Sequence, residues 1–251
     1  MDPLLRGRPA RLTVLDFGLF RVFAGGGRDI GISGYLIETD RGEKVLVDSG
    51  FPEKYAQDAA AASREDRLDT FGEVLGCGPQ NTARAQLARA GVAPEEIDLF
   101  ILTHTHIDHL GGLEDFRQAP MLIGAPERAL PRPLYWGDVQ PLAWPARDYV
   151  TLDSDATIGP GFEVFLAPGH APGQLALMLE LPETGPVLLT SDAISRPEEV
   201  SEGFEGTTEA ATALHHAERL LDLADRRGAF VIYGHWPRQW PALRKAPDGY
   251  T

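Results

Sequence analysis

The stretch HTHIDHLGG, residues 104–112, places four side chains that can bind a metal within six positions. Imidazole and carboxylate groups are ligands that zinc and similar divalent metals accept. Side chains two residues apart in an extended segment point the same way, so His104 and His106 can bind one ion. Asp108 and His109 follow after the chain turns and can bind a second ion. The stretch therefore predicts a site for two metals.

An apolar strand, predicted at residues 98–102, leads directly into this stretch. Apolar runs bounded by turn residues predict further strands on both sides of it, and helical spacing predicts helices between them. Both halves of the chain thus contain strands, then a helix, then a strand. This order predicts an α/β (α+β) fold, a four-layer αββα sandwich in which two mixed β-sheets pack face to face with helices on the outer faces. The other predicted strands are at 12–17, 33–38, 44–47, 120–124, 149–152, 162–166, 174–181, 187–190 and 229–233, and the helices are at 53–62, 81–90 and 209–227.

The composition is that of an ordinary globular chain with an acidic surface. Its 251 residues suit a single domain over residues 1–251, and the formal net charge is -14. Such a charge repels nucleic acids and anionic membranes, so we expect neither as a partner and expect a neutral small-molecule substrate. The single cysteine, Cys77, excludes an internal disulfide, and no apolar run is long enough for a signal peptide or a membrane span. We expect a cytoplasmic monomer or homodimer.

Residues 104–112 resemble the HxHxDH signature of the metallo-β-lactamase superfamily. Four more motifs of that superfamily follow the same order along the chain, so the resemblance covers nearly all of it. They are VLVDSG at 45–50, APGHAPGQ at 167–174, TSDA at 190–193 and YGH at 233–235.

The resemblance implies which residues bind the metals. His104, His106 and His170 would hold one ion, Asp108, His109 and His235 would hold the other, and Asp192 would bridge the two. All seven positions carry the expected residue type, which favours two divalent ions, zinc foremost, with manganese, cobalt or iron as alternatives. Asp108 could also relay a proton, so Asp108 and Asp192 are the candidate catalytic residues. Asp48 either orients a ligand histidine or is an ordinary turn carboxylate.

Within the superfamily, the sequence is most similar to the N-acyl homoserine lactone lactonases. That similarity implies hydrolytic opening of a lactone ring by a hydroxide shared between two metals. An acyl tail needs an apolar wall, and residues 51–80 and 125–148 are irregular segments that could line the pocket. The candidates for that wall are Phe51, Tyr135, Trp136, Trp144 and Trp236.

One position departs from the lactonase pattern. Ser195 stands three residues after Asp192, where many lactonases carry a tyrosine that donates a hydrogen bond to the lactone carbonyl. Removing such a donor costs about 10²–10³ in rate where it stabilises an oxyanion, so either Tyr135 replaces it or the substrate differs. The alternatives are another ester, thioester or phosphotriester hydrolase, a mononuclear iron dioxygenase, or a binding protein without activity. The complete ligand set argues against the last two.

Overall fold

Two mixed β-sheets form the centre of the computed structural model, which describes residues 3–251. Their strands are β1 (Pro9–Val22), β2 (Arg28–Thr39), β3 (Lys44–Val47), β4 (Gly72–Gly76), β5 (Leu99–Ile101), β6 (Met121–Gly124), β7 (Tyr149–Leu152), β8 (Ala156–Gly159), β9 (Phe162–Leu166), β10 (Leu175–Leu181), β11 (Gly185–Leu189) and β12 (Phe230–Ile232). The helices are α1 (Glu53–Glu65), α2 (Ala83–Arg89), α3 (Ala125–Arg128), α4 (Glu198–Glu202) and α5 (Ala210–Arg227).

Both sheets combine parallel and antiparallel neighbours. The seven-stranded sheet has the order β4-β1-β2-β3-β5-β6-β7, and β3, β5, β6 and β7 run parallel. The five-stranded sheet has the order β12-β11-β10-β9-β8, and in it β11 and β12 run parallel. Parallel neighbours end at the same edge of a sheet, which brings the loops that follow them together.

The sheets pack face to face and helices cover their outer faces. Apolar side chains of both sheets, such as Ile101 and Leu177, share one fully buried cluster. Leu87 of α2 packs with the other face of the seven-stranded sheet, and Leu220 of α5 packs on the five-stranded sheet. The predicted four-layer sandwich is confirmed, because each amphipathic helix buries its apolar face on a sheet.

A few elements differ from the sequence prediction. Strands β4 and β8 were not predicted, since both are short and lie at sheet edges. Helix α2 is capped by the hydroxyl of Thr82, which accepts a hydrogen bond from the Ala85 amide at 3.3 Å, and not by Asn81. The Asn81 side chain instead donates to the Asp16 carbonyl at 3.0 Å. Within the described residues, none of the helices is both long enough and apolar enough to cross a membrane.

Candidate metal centre

Loops at the ends of five strands carry the predicted metal ligands and the candidate orienting residue Asp48 to one place. Asp48 directly follows β3, and the stretch from His104 to His109 follows β5. His170 lies between β9 and β10, Asp192 follows β11, and His235 follows β12. The ligands therefore meet beside one edge of the two sheets, where the loops after these strands lie together.

Two glycines beside the ligands allow close approach of neighbouring backbone. Gly169 has a φ of +136°, and a Cβ on it would lie 2.5 Å from the Ala213 amide nitrogen of α5. A Cβ on Gly234 would lie 2.4 Å from the Ser191 carbonyl oxygen. Because only glycine avoids these collisions, the motifs around His170 and His235 fix the backbone as well as the ligand.

The first cluster of ligand atoms, which we call the three-histidine group, consists of His104, His106 and His170. His106 Nδ1 lies 3.1 Å from His104 Nε2 and 2.8 Å from His170 Nε2. Burial lowers the pKa of all three rings, that of His106 to about 4. The rings are therefore neutral near pH 7, which is the form that binds metals.

The second cluster, which we call the mixed group, consists of Asp108, His109 and His235. Asp108 Oδ2 lies 3.6 Å from His109 Nε2 and 3.5 Å from His235 Nε2. Burial alone would lower the pKa of the His109 and His235 rings, but nearby carboxylates raise it by a larger amount. Asp108, Asp48 and Asp192 raise the pKa of His109 to about 10. Asp192 and Asp108 raise that of His235 to about 9.

Asp192 lies between the two groups. Its Oδ1 is 3.5 Å from His109 Nε2 and 3.1 Å from His235 Nε2, whereas its Oδ2 is 3.4 Å from His170 Nε2. Burial raises the pKa of this carboxyl, yet the neighbouring histidines hold it well below its usual range. One oxygen thus faces each group, which is the arrangement a bridging ligand needs.

These residues fit a pair of cations. Three buried atoms, His109 Nε2, His235 Nε2 and Asp192 Oδ1, have no hydrogen-bond partner within residues 3–251. Buried polar atoms without a partner are rare because desolvating them is costly. Cations between the clustered ligands would give all three atoms a partner, and the nitrogen and oxygen donors suit zinc.

Hydrogen bonds on the far side of two rings fix their orientation. His109 Nδ1 donates to Asp48 Oδ2 at 2.9 Å, and His235 Nδ1 donates to the Gly31 carbonyl at 2.9 Å. Asp48 Oδ1 also accepts from the Thr103 amide at 2.8 Å. Both Nε2 atoms are left pointing at the centre, so the contact of Asp48 supports its orienting role.

A cavity of about 450 Å³ opens above the two groups. His106, Asp108, His170, Asp192 and His235 line its floor. One wall is apolar, and its rings contact each other, with centroids 4.7 Å apart for Phe71 and Trp136. The apolar wall is formed by Phe20, Val22, Ile30, Phe51, Leu68, Phe71 and Trp136, and the polar wall includes Arg28, Ser195, Arg196, Glu199 and Glu202.

Three predicted pocket residues, Phe51, Trp136 and Ser195, line this cavity, and three others do not. The prediction was wrong for Trp144, whose indole Nε1 donates to the Leu130 carbonyl at 2.7 Å and whose ring packs against Tyr149. It was also wrong for Trp236, whose ring packs edge-on against Tyr233. Both rings have local packing partners, and neither lines the cavity.

Tyr135 was predicted to line the substrate pocket, and its side chain lies elsewhere. Its side chain is 1% exposed, and its hydroxyl donates to Asp66 Oδ2 at 2.8 Å, so it cannot reach a substrate. Its backbone has a different role, since its amide donates to the Thr105 carbonyl at 2.8 Å and its carbonyl accepts from the Ile107 amide at 3.0 Å. Tyr135 therefore braces the ligand loop and offers no donor to the cavity.

Much of the cavity wall could not be predicted from the sequence. Phe20 and Ile30 lie on the β1–β2 hairpin, and Phe71 lies just before β4. Glycines 25–27 signal the hairpin turn, but its approach to residues more than seventy positions away is a tertiary feature. The motifs could not place these side chains over the metal ligands.

The chain belongs to the metallo-beta-lactamase superfamily, whose family model matches residues 27–235. Within it, the chain is similar to N-acyl homoserine lactonases. It is 30% identical over 228 residues to the enzyme of Bacillus thuringiensis, covering 85% of this chain and 84% of that protein. It is 32% identical over 228 residues to that of Bacillus cereus, with the same coverage. These relatives place the chain among metal-dependent hydrolases.

A solved structure shares the fold. Bacillus thuringiensis AiiA, in a variant with N-decanoyl-L-homoserine bound at its active site, superposes with a TM-score of 0.85 at 23% identity. The match covers 97% of this chain and 100% of that one. The two mixed sheets with outer helices are therefore the metallo-β-lactamase fold.

Proposed function

We propose that this chain is a dinuclear metal-dependent hydrolase that opens the ring of an N-acyl homoserine lactone or a similar neutral lactone. The observation that carries the proposal is the placement of the three-histidine group and the mixed group on either side of Asp192, beneath a cavity with an apolar wall. The similarity to N-acyl homoserine lactonases supports the choice of substrate. Degrading such lactones would make the chain a quorum-quenching enzyme, the description given to one structural neighbour.

The three-histidine group would hold one cation, the mixed group the other, and Asp192 would contact both. Zinc is the proposed metal, since its preferred nitrogen and oxygen ligands are present. When bound, two such cations would lower the pKa of a water and polarise the carbonyl of the ester. Because the site is buried on all sides except the cavity, these charges act in a medium that screens them weakly.

Asp108 is the proposed proton carrier. Ring opening adds water across the ester bond, and the alkoxide oxygen released from the ring must gain a proton. The Asp108 side chain lines the cavity and is 18% exposed, so one oxygen can face the mixed group while the other faces the substrate. A carboxylate within hydrogen-bond reach can take the proton that the attacking water loses and deliver it to the leaving oxygen.

The cavity walls indicate how the substrate would lie. Phe20, Phe51, Phe71 and Trp136 offer the contact area that an acyl tail needs to leave water. The formal net charge of -14 disfavours polyanionic substrates, whereas a neutral lactone meets no such repulsion. We therefore expect an acyl-substituted lactone to be preferred over a bare ring.

The proposal is tested by following ring opening in a pH-stat for zinc-loaded protein on an N-acyl homoserine lactone and on unsubstituted γ-butyrolactone. We expect both to open, with the higher kcat/KM for the acylated ring. His106→Ala and Asp192→Ala should each lose at least about 100-fold in kcat/KM, because ligand loss exceeds the effect of losing a supporting contact. His215→Ala is the matched control, since His215 is exposed on α5 away from the centre. A fully metal-loaded protein that opens neither lactone would rule out a lactone as the substrate.

A second candidate is hydrolysis of another ester, such as an aryl ester or a phosphotriester. The cavity lining favours it, because Ser195 stands where many lactonases carry tyrosine and the Tyr135 hydroxyl is bound to Asp66. Faster turnover of a chromogenic aryl ester or phosphotriester than of any lactone would select this candidate.

A further inference from the structure

Glu127 on α3 is a buried carboxylate that the motifs did not identify. Its side chain is 0% exposed, and its two oxygens accept hydrogen bonds from two different loops. Oε1 accepts from the Thr105 amide at 2.8 Å and from the Thr105 hydroxyl at 2.5 Å. Oε2 accepts from the Gly173 amide at 3.1 Å. Three donors satisfy the charge without a cationic side chain, which is the form a buried carboxylate needs.

The two loops are those that carry the three-histidine group. Thr105 lies between His104 and His106, and Gly173 lies three residues after His170. The contact is close, since a Cβ on Gly173 would lie 2.4 Å from Glu127 Cβ. Glu127 therefore ties the two segments together at a fixed distance.

Different contacts support the mixed group. His109 is oriented by Asp48, and His235 by the Gly31 carbonyl. None of these bonds involves Glu127. A substitution at Glu127 should therefore disturb the three-histidine group and leave the mixed group in place.

We propose that Glu127 is a positioning residue that holds His106 and His170 at the spacing required by the metal of the three-histidine group. The inference rests on the proposed function, because it assumes that this group binds a metal. Groups that hold metal ligands in place typically contribute about 10–100-fold to metal affinity.

Glu127→Gln tests the role with little change of volume. The amide replaces one acceptor oxygen with an NH₂ donor, which must face either the Thr105 donors or the Gly173 amide. When two donors face each other in a buried site, the hydrogen bond is lost and both donors are left without an acceptor. We expect one loop to move away from the other.

The measurement is zinc affinity by competition with a chelator, in two backgrounds. His109→Ala damages the mixed group and leaves the three-histidine group, whereas His106→Ala does the reverse. Glu127→Gln should weaken zinc binding about 10-fold or more in the His109→Ala background and should leave it unchanged in the His106→Ala background. This selectivity separates positioning from general destabilisation, which would weaken both sites.

Glu43→Gln is the matched control. Glu43 has the same kind of partners, since it accepts from the Arg6 amide at 2.8 Å, from the Gly7 amide at 2.8 Å and from the Thr39 hydroxyl at 2.8 Å. It lies in the β2–β3 turn away from the centre, so the same substitution there should leave zinc affinity unchanged in both backgrounds.

Equal losses in the two backgrounds, or no loss in either, would overturn the inference. If Glu127→Gln does not fold, Thr105→Val removes the hydroxyl, which donates to Glu127 and accepts from the Leu134 amide at 2.9 Å, and should produce a smaller loss with the same selectivity. Unchanged affinity in Thr105→Val would then contradict the role. If the unmodified protein binds no zinc, the proposed function itself fails. If it binds two zinc ions without opening lactones, only the substrate fails, and the role of Glu127 stands.

Discussion

Asp48 shows how one turn residue can serve the metal centre. It has a φ of +56°, a left-handed conformation that aspartate tolerates better than most residues. That conformation directs its carboxylate to His109 Nδ1 and to both donors of Thr103. The sequence left open whether Asp48 is an orienting group or a turn carboxylate, and the contacts favour the first.

Asp48→Asn should lower zinc affinity by about 10–100-fold, with the loss in the mixed group. The amide keeps the size of the side chain but removes the charge that holds His109. Chelator competition measures the effect, and Asp40→Asn is the control because, among residues 3–251, the exposed Asp40 side chain accepts only from the Arg8 amide at 2.9 Å. Equal zinc affinities for the two variants would show that Asp48 is an ordinary turn carboxylate with no role in orienting His109.

Cys77 should be a slow nucleophile. Burial raises the pKa of its thiol from 9.0 to about 11. Alkylation by iodoacetamide at pH 8 should therefore be about 100-fold slower in the folded protein than in urea, and should rise tenfold per pH unit until about pH 11. Because the unfolded thiol loses its proton first, the stability this group contributes is present below about pH 9 and is lost as the pH rises to about 11. Equal alkylation rates in the folded and unfolded protein would contradict this.

At the residue scale, the structure brings together the side chains that the motifs name, whereas other predicted pocket residues lie elsewhere. The seven metal-ligand candidates lie together, because each sits in a short motif at a strand end. Tyr135 was misassigned because its partner, Asp66, is far away in sequence and fixes the hydroxyl. Glu127 was missed because nothing in the local sequence APER marks a carboxylate that joins two loops.

At the scale of elements, local sequence patterns predicted the bounds of several strands and helices correctly. The predicted strands β3, β7 and β9 have the observed bounds, since turn residues flank each apolar run. Helix α5 was predicted within one residue, because its apolar positions repeat at helical spacing and Gly228 ends it. Edge strands β4 and β8 gave no such pattern, because each has only four or five residues and these include glycine and exposed side chains.

Helix α5 should depend on its buried face. Leu220 is 0% exposed against the five-stranded sheet, so Leu220→Ala should lower the free energy of unfolding by about 2–5 kcal/mol. Leu221→Ala, the matched control at a half-buried neighbour, should cost less. Urea denaturation of both variants measures the difference, and equal losses would contradict the packing described for this helix.

At the scale of the whole molecule, the cavity is a product of the sandwich. Its apolar wall comes from the β1–β2 hairpin, residues 51–71 and Trp136, while its polar wall comes from the segment after β11 and from Arg28 of β2. These parts are brought together by sheet order and packing, which sequence motifs do not encode locally. The sequence therefore predicted the fold and the clustering of the candidate metal ligands, but only three of the residues that line the cavity walls.

The central claim is that two cations flank Asp192, and anomalous diffraction from crystals grown with zinc tests it most directly. The account predicts two anomalous peaks about 3.5–4 Å apart, one among His104, His106 and His170 and the other among Asp108, His109 and His235. Soaking the crystals with a chelator should remove both peaks. A single peak at saturating zinc, or peaks only at surface carboxylates, would contradict the two-metal centre and the mechanism built on it.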